Sequence, residues 1–224
     1  MKLVAMPSPN QDGRGGVPVS MLILHYTGMA SAQAALSRLC DPAAKVSAHY
    51  TVGEDGTLYA HVPEDRRAWH AGLSCWTGIH DVNAHSIGIE LVNPGHEFGY
   101  RAFPGAQIAA LTSLCKEILA RHAIPAGNVL GHSDVAPARK DDPGELFPWS
   151  RLAQAGIGLW PLPGDANVGA EALEPYGYDP QAPLEKRITA FQRHFRPEKL
   201  SGIWDRECGQ LLAALLANRP PFGL

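Results

Sequence analysis

Residues 19–26 have the sequence VSMLILHY, a short apolar run that lies between Pro18 and Gly28. Runs of four to eight apolar residues bounded by turn-forming residues are typical of strands that are buried on both faces of a sheet. Residues 85–92, HSIGIELV, form a second run of this kind. Both segments are therefore predicted to be buried strands.

Further elements are predicted on either side of these two strands. They are a helix capped by Ser31 and ending near Cys40, a hairpin of strands at 46–52 and 57–62, a helix at 105–122, a short strand at 128–131 and a short helix at 149–155. Residues 1–18, rich in proline, glycine and polar residues, are expected to be irregular. Strands mixed with helices favour an α/β or α+β domain over residues 1–160.

The last quarter of the chain has a different pattern. Residues 161–180 hold four prolines and are predicted to be a linker. Residues 181–224 contain two amphipathic helical stripes, one around Phe191 and one around Leu211. A segment this short has little core of its own, so we expect a small helical domain that leans on the first.

Composition excludes several classes of protein. The 224 residues are 45% hydrophobic and 18% charged, and the formal net charge of −3 gives no general attraction for nucleic acid or an anionic membrane. No stretch approaches the roughly 20 apolar residues that cross a bilayer. The four cysteines include no CxxC pair and are expected to be free thiols. No signal-peptide pattern is present, so we expect a cytoplasmic protein, or a periplasmic one if a leader has been removed.

The segment 132–144, HSDVAPARKDDPG, carries the clearest chemistry. A histidine and an aspartate ten positions apart can bind one metal ion if the chain turns between them. Pro143 favours extended geometry for the residue before it. In that geometry Lys140 and Asp142 share one side and Asp141 faces the other. The sequence therefore predicts a metal ligand, Asp142, beside a cation, Lys140.

A catalytic zinc site needs three protein ligands and one open position. His25, at the end of the first strand, is the best candidate to join His132 and Asp142, although each histidine taken alone is better explained as a hydrogen-bonded core residue. Glu90 lies in a mostly buried strand, where a carboxylate is costly unless it is paired. It could be a general base for a water molecule, or a strand-edge glutamate in a surface ion pair.

Five segments occur in one order along the chain: LILHYT, VSAHYTV, AWHAGLSC, SIGIE and HSDVAPARKDDPG. Together they resemble the zinc-dependent N-acetylmuramoyl-L-alanine amidases, a family that shares its fold with the peptidoglycan recognition proteins. The resemblance covers about residues 18–155. It implies a mixed α/β fold, with a central mixed sheet flanked by helices and one zinc ion in a groove at the sheet rim.

The resemblance also implies roles for individual residues. His25, His132 and Asp142 would be the zinc ligands, Glu90 would activate the attacking water, and Lys140 would stabilise the oxyanion. The bond cut would be the amide between N-acetylmuramic acid and L-alanine, in muropeptides or peptidoglycan fragments.

Four residues near the matched strands or in the long loop at 63–84 are expected to contact the substrate: Lys45, His49, Trp69 and His70. Alternatively, Lys45 could simply be solvated, and Trp69 and His70 could be packed anchors of the loop. We expect a monomer.

Two other functions are compatible with the sequence. One is a peptidoglycan-binding protein that does not cut, and the other is a zinc peptidase that acts within the stem peptide. The C-terminal helices resemble a degenerate peptidoglycan-binding module, which would favour polymeric peptidoglycan. A cytoplasmic location would favour soluble anhydromuropeptides and a role in cell-wall recycling. A helical appendage that only packs on the catalytic domain is the alternative for this segment.

Overall fold

A six-stranded mixed sheet forms the centre of the structure, a computed structural model that describes residues 3–218. Within these residues the strands are β1 (Leu3–Ala5), β2 (Gln11–Gly13), β3 (Met21–Tyr26), β4 (Tyr50–Val52), β5 (Leu58–Ala60), β6 (Arg66–Ala68), β7 (Ser86–Leu91) and β8 (Val129–Gly131). The order in the main sheet is β1-β5-β4-β7-β3-β8, and β2 pairs with β6 separately. Only β4 and β5 are antiparallel neighbours in the main sheet. This arrangement confirms the mixed α/β class.

Helices cover both faces of the sheet. In residues 3–218 they are α1 (Ala32–Cys40), α2 (Val82–His85), α3 (Gly95–Phe98), α4 (Gly105–Arg121), α5 (His132–Val135), α6 (Trp149–Gln154), α7 (Leu173–Tyr176), α8 (Leu184–Phe195) and α9 (Arg206–Ala217). Short 3-10 turns occur at Pro42–Ala44, Ala126–Asn128 and Ala170–Ala172. None of the helices in the described part of the chain is long and apolar enough to cross a membrane.

Most predicted elements are present within a few residues of the expected bounds. Ser31 caps α1 as predicted, since its hydroxyl accepts a hydrogen bond from the backbone N–H of Ala34 at 3.2 Å. The lead-in at 1–18 differs from the expectation, because it contains β1 and β2. Each has three residues and pairs with a distant strand, so no local pattern marks it.

Side chains alternate between the two faces of the central strands, and this alternation divides the interior into two layers. Leu22 and Leu24 of β3, with Ile87 and Ile89 of β7, point into the layer that α4 covers. Met21 and the residues in phase with it point into the opposite layer. A strand that is buried on both faces is what the continuous apolar runs predict.

The C-terminal helices fill the second layer. Phe191 of α8 and Leu212 of α9 are fully buried in one cluster with Met21 and Ile23 of the central strand. The segment predicted as a linker takes part as well, because Tyr176 and its neighbours in α7 are buried in that cluster. The C-terminal helices therefore share a core with the sheet, while the division into units at 160 and 180 stays a prediction.

The shared core can be tested with Phe191→Ala. We expect this substitution to lower the free energy of unfolding by about 3–5 kcal/mol, because it removes a fully buried ring and leaves a cavity. Urea unfolding followed by tryptophan fluorescence should show one transition at lower urea. Ile203→Ala, at a position 69% exposed, is the control and should change little. A separate early transition, with the main one unmoved, would contradict a shared core.

Candidate metal centre and active site

The ends of β3 and β7 bring His25 and Glu90 side by side. The strands are parallel and these two residues are direct neighbours in the register. Side chains at neighbouring positions of adjacent strands point to the same face of a sheet. His25 and Glu90 therefore emerge together at the carboxyl end of the sheet, on the face that the C-terminal helices cover.

The chain after β8 brings two more groups to the same place. His132 begins α5 directly after the strand, and Asp142 returns beside it ten residues later. The backbone N–H of Ser133 donates a hydrogen bond to the carbonyl of Asp142 at 2.9 Å, which closes this loop. Both His132 and Asp142 are buried. We call residues 131–142 the ligand loop.

Three donor atoms form a small triangle at this point. His25 Nδ1 lies 2.9 Å from Asp142 Oδ2 and 3.0 Å from His132 Nδ1, and His132 Nδ1 lies 3.1 Å from Asp142 Oδ2. Two imidazoles and a carboxylate are a donor set that catalytic zinc takes. Bonds of about 2.0–2.1 Å in tetrahedral geometry separate ligand atoms by about 3.3 Å. The triangle is close to the size that one such ion requires.

Hydrogen bonds on the far side of each ring fix the tautomers. His132 Nε2 is 3.0 Å from the carbonyl of Ala71, which only accepts, so Nε2 carries the proton. His25 Nε2 is 3.1 Å from His70 Nδ1, and His70 Nε2 is 3.1 Å from Ser86 Oγ. The Ser86 hydroxyl donates to the carbonyl of Val82 at 2.6 Å, which sets the direction of the whole chain.

The consequence is that both Nδ1 lone pairs point at the Asp142 carboxylate. Three converging lone pairs repel one another, and a cation between them removes that repulsion. Such outer hydrogen bonds are the usual device that orients a metal-binding histidine. The residues present therefore fit a metal ion at this position.

The surroundings of His25 and Asp142 favour the protonation states in which these side chains can bind a metal. Burial, and then the neighbouring His132, lowers the pKa of His25 to about 4, so its imidazole is neutral at pH 7. Burial alone would raise the pKa of Asp142, but contacts with His132 and His25 hold that pKa well below its ordinary value. His25 is therefore a neutral imidazole and Asp142 a carboxylate, the forms in which these groups bind a metal.

Glu90 reaches the same cleft as an unpartnered carboxylate. Its Oε2 atom is buried and has no hydrogen-bond partner among the described residues. Burial raises the pKa of Glu90 well above its ordinary value, and the charge of Asp142 raises it further, while Lys140 opposes both. A carboxyl group with a raised pKa beside a metal centre is suited to accept and return a proton.

The cleft has a volume of about 380 Å³, and Lys140 lines it together with the ligands and Glu90. The Lys140 side chain makes no hydrogen bond or ion pair with another described residue. Sequence reasoning did not identify two other cations of the wall. They are Arg38, an exposed residue of α1, and Arg139 of the ligand loop. Lone arginines of this kind carry no local signal.

The four expected substrate contacts are placed differently from one another. His70 lines the cleft behind His25. His49 is fully buried, and its Nδ1 accepts a hydrogen bond from the backbone N–H of Gly88 at 2.9 Å. Trp69 is half-buried and Lys45 is exposed at the end of a 3-10 turn. Neither of these two residues, nor His49, lies in the cleft wall.

Gly88 explains how His70 can lie against the sheet. A Cβ at this position would lie 2.4 Å from the His70 ring, which is far inside contact distance. The glycine of the SIGIE segment is therefore required by packing, because any side chain would displace the ring that supports His25.

Comparison with known proteins identifies relatives of this chain. Residues 15–145 match the family model described as Amidase_2: N-acetylmuramoyl-L-alanine amidase. AmiD of Escherichia coli is 40% identical over 230 residues, which is 88% of this chain and 82% of AmiD. AmpD of Citrobacter freundii is 40% identical over 108 residues, which is 48% of this chain and 56% of AmpD.

A solved structure is also similar. It is the complex of AmiD from E. coli with the substrate anhydro-N-acetylmuramic acid-L-Ala-D-gamma-Glu-L-Lys. The TM-score is 0.79 at 38% identity, and the match covers 92% of each chain. With the family model, the relatives and the fold in agreement, this chain belongs to the N-acetylmuramoyl-L-alanine amidase family.

Proposed function

We propose that this protein is a zinc-dependent amidase that hydrolyses the amide between the lactyl group of N-acetylmuramic acid and L-alanine in muropeptides. The observation that carries the proposal is one cleft with two components. One is the triangle of His25, His132 and Asp142 donor atoms, and the other is the unpartnered carboxylate of Glu90.

His25, His132 and Asp142 would hold the zinc ion. When bound, zinc supplies a Lewis acid and lowers the pKa of a coordinated water to about 7. The neutral imidazoles leave the site with a net positive charge, which favours the negative charge that develops during amide hydrolysis. Because hydrogen bonds fix the orientation of both rings, neither histidine has to rotate before it binds the ion.

Glu90 would transfer a proton during the hydrolysis, and Lys140 would stabilise the negative charge that develops. Glu90 takes a proton as water attacks the amide carbon, and its raised pKa then lets it pass that proton to the leaving alanine nitrogen. The Lys140 ammonium, which has no ion-pair partner among the described residues, stabilises the oxygen that becomes negative. No covalent intermediate is required.

The substrate we infer is an anhydromuropeptide. AmiD, whose similarity extends over the C-terminal helices, was solved with such a molecule bound. His70 would act by orienting His25 and not by contacting the substrate. Contacts from Lys45 and Trp69, the monomeric state, the role in recycling and the cytoplasmic location stay predictions.

The direct test is incubation of the purified protein with a defined anhydromuropeptide, with and without a chelator, and product analysis by mass spectrometry. We expect release of the intact stem peptide, loss of this activity on chelation and its return on addition of zinc. Cuts inside the stem would instead indicate a peptidase. A zinc-loaded protein that binds the substrate without cutting it would indicate a recognition protein.

Glu90→Gln separates proton transfer from metal binding. The glutamine keeps the shape of the side chain but cannot accept a proton, so we expect kcat to fall by about 10²–10⁴-fold. Zinc content, measured by atomic absorption, should remain at one ion per chain. Glu97→Gln is the matched control, because Glu97 lines the same cleft but is exposed. Equal losses in both variants would contradict the assignment.

The pKa of Glu90 also predicts how stability depends on pH in the metal-free protein. Because the pKa of Glu90 is higher in the folded state than in the unfolded chain, the folded state binds more protons between the two values. The free energy of unfolding should therefore fall as pH rises from the ordinary glutamate range toward the raised pKa. Urea unfolding across that window should show a smaller fall for Glu90→Gln. Parallel curves for the two proteins would exclude a raised pKa.

A further inference from the structure

Helix α8 contacts the ligand loop at two points, each close in sequence to one of the two metal ligands that the loop supplies. His194 reaches Asp134, two residues after His132, and Arg193 reaches Asp141, one residue before Asp142. The two contacting residues are neighbours on one turn of the helix. A single rigid element therefore touches the loop beside each of the two ligands that the loop supplies.

Asp134 is the centre of the first contact. It is 1% exposed, and among the described residues its carboxylate accepts three hydrogen bonds. One comes from the backbone N–H of Gly131 at 2.8 Å, within the loop itself. The other two come from the C-terminal segment: His194 Nδ1 donates at 2.7 Å and the Tyr178 hydroxyl donates at 2.7 Å. Two of its three donors thus lie outside the loop.

The His194 ring has little freedom to move. It stacks on Trp149 with ring centroids 3.7 Å apart and on Phe195 with centroids 3.9 Å apart. The residue is buried, and its second ring nitrogen, Nε2, has no hydrogen-bond partner among the described residues. Among the described residues His194 therefore forms its side-chain hydrogen bond through Nδ1, and Asp134 is the partner.

The second contact is an ion pair. Arg193 is buried, and its guanidinium nitrogen lies 2.8 Å from Asp141 Oδ1. The Asp141 side chain is 60% exposed, so this pair is screened by solvent and holds the backbone next to Asp142 less firmly than the buried contact holds Asp134.

Packing alone does not require this arrangement. Phe191 and its apolar neighbours already dock α8 on the sheet. A buried carboxylate carries a desolvation cost that apolar contacts avoid, and it tolerates only positions that keep its donors in place. The buried contact with Asp134 therefore constrains where α8 can lie relative to the ligand loop.

We propose that the C-terminal segment positions the metal centre: His194 of α8 and Tyr178, which precedes α8, hold Asp134 and thereby set the separation of His132 and Asp142. This inference rests on the proposed function in one respect, because it requires that His25, His132 and Asp142 bind zinc. It assigns to the C-terminal helices a role at the active site, distinct from any binding of the cell wall.

His194→Phe tests the proposal in the full chain. Phenylalanine keeps the stacking with Trp149 but removes the N–H donor to Asp134. Loss of a hydrogen-bond partner of a ligand itself typically weakens metal binding by about 10–100-fold. Because His194 acts one residue further out, through Asp134, we expect the zinc Kd to rise by an amount at the lower end of that range. The Kd is measured by competition with a chromophoric chelator, at a temperature where circular dichroism shows the variant to be folded.

Matched variants separate positioning from stability. Phe191→Ala removes core packing on the same helix but none of the hydrogen bonds to Asp134, so it should lose stability and keep the wild-type zinc Kd. His194→Asn, which restores an N–H donor near Nδ1, should bind zinc more tightly than His194→Phe. If His194→Phe does not fold, Tyr178→Phe removes one hydroxyl only and should raise the Kd by about 10-fold.

Two results would overturn the positioning role. One is a folded His194→Phe protein that binds zinc as tightly as the wild type, and the other is an equal rise in Kd for His194→Phe and Phe191→Ala. A wild-type protein that binds no zinc would refute the proposed function itself. Because zinc affinity is measured without substrate, these failures are distinguishable.

Discussion

The parallel pairing of β3 with β7 and β8 is the constraint on which the rest of the structure depends. Parallel strands end at the same edge of a sheet, so this pairing brings His25, Glu90 and the start of the ligand loop to one place. Both faces of these strands are buried, and a slip of one residue would exchange the two faces. The register is therefore held by the apolar side chains of both layers, and the active site takes its geometry from that register.

The second layer of the interior serves as both core and active site. Near the middle of β3 it is apolar, with Met21 and Ile23 against the C-terminal helices. Toward the strand end it becomes a set of hydrogen-bonded histidines. Each buried ring has a partner that fixes its tautomer, which lowers the cost of burying polar groups. The continuity of this layer explains why a helix far along the chain can contact the ligand loop.

Local patterns in the sequence were sufficient for most of the fold. The apolar runs at 19–26 and 85–92, the Ser31 cap and the amphipathic stripe at 105–122 each depend on neighbouring residues, and each corresponds to an observed element. Strands β1 and β2 were not predicted because three residues carry no periodicity, and their pairing partners lie more than fifty residues away. The linker at 161–180 stays a prediction; its prolines gave no indication that Tyr176 packs in the second layer.

For the site, the sequence by itself determined which residues could do the chemistry. His25, Glu90, His132 and Asp142 follow from strand alternation, from the effect of Pro143 on its neighbour and from the family resemblance, and the structure brings all four together. Only the tertiary structure shows which groups His49, His70 and His194 contact. The role of a histidine depends on the group that each ring nitrogen meets. Those partners, Gly88, Ser86 and Asp134, are supplied by chain segments that are distant in sequence, and no local pattern specifies such a contact.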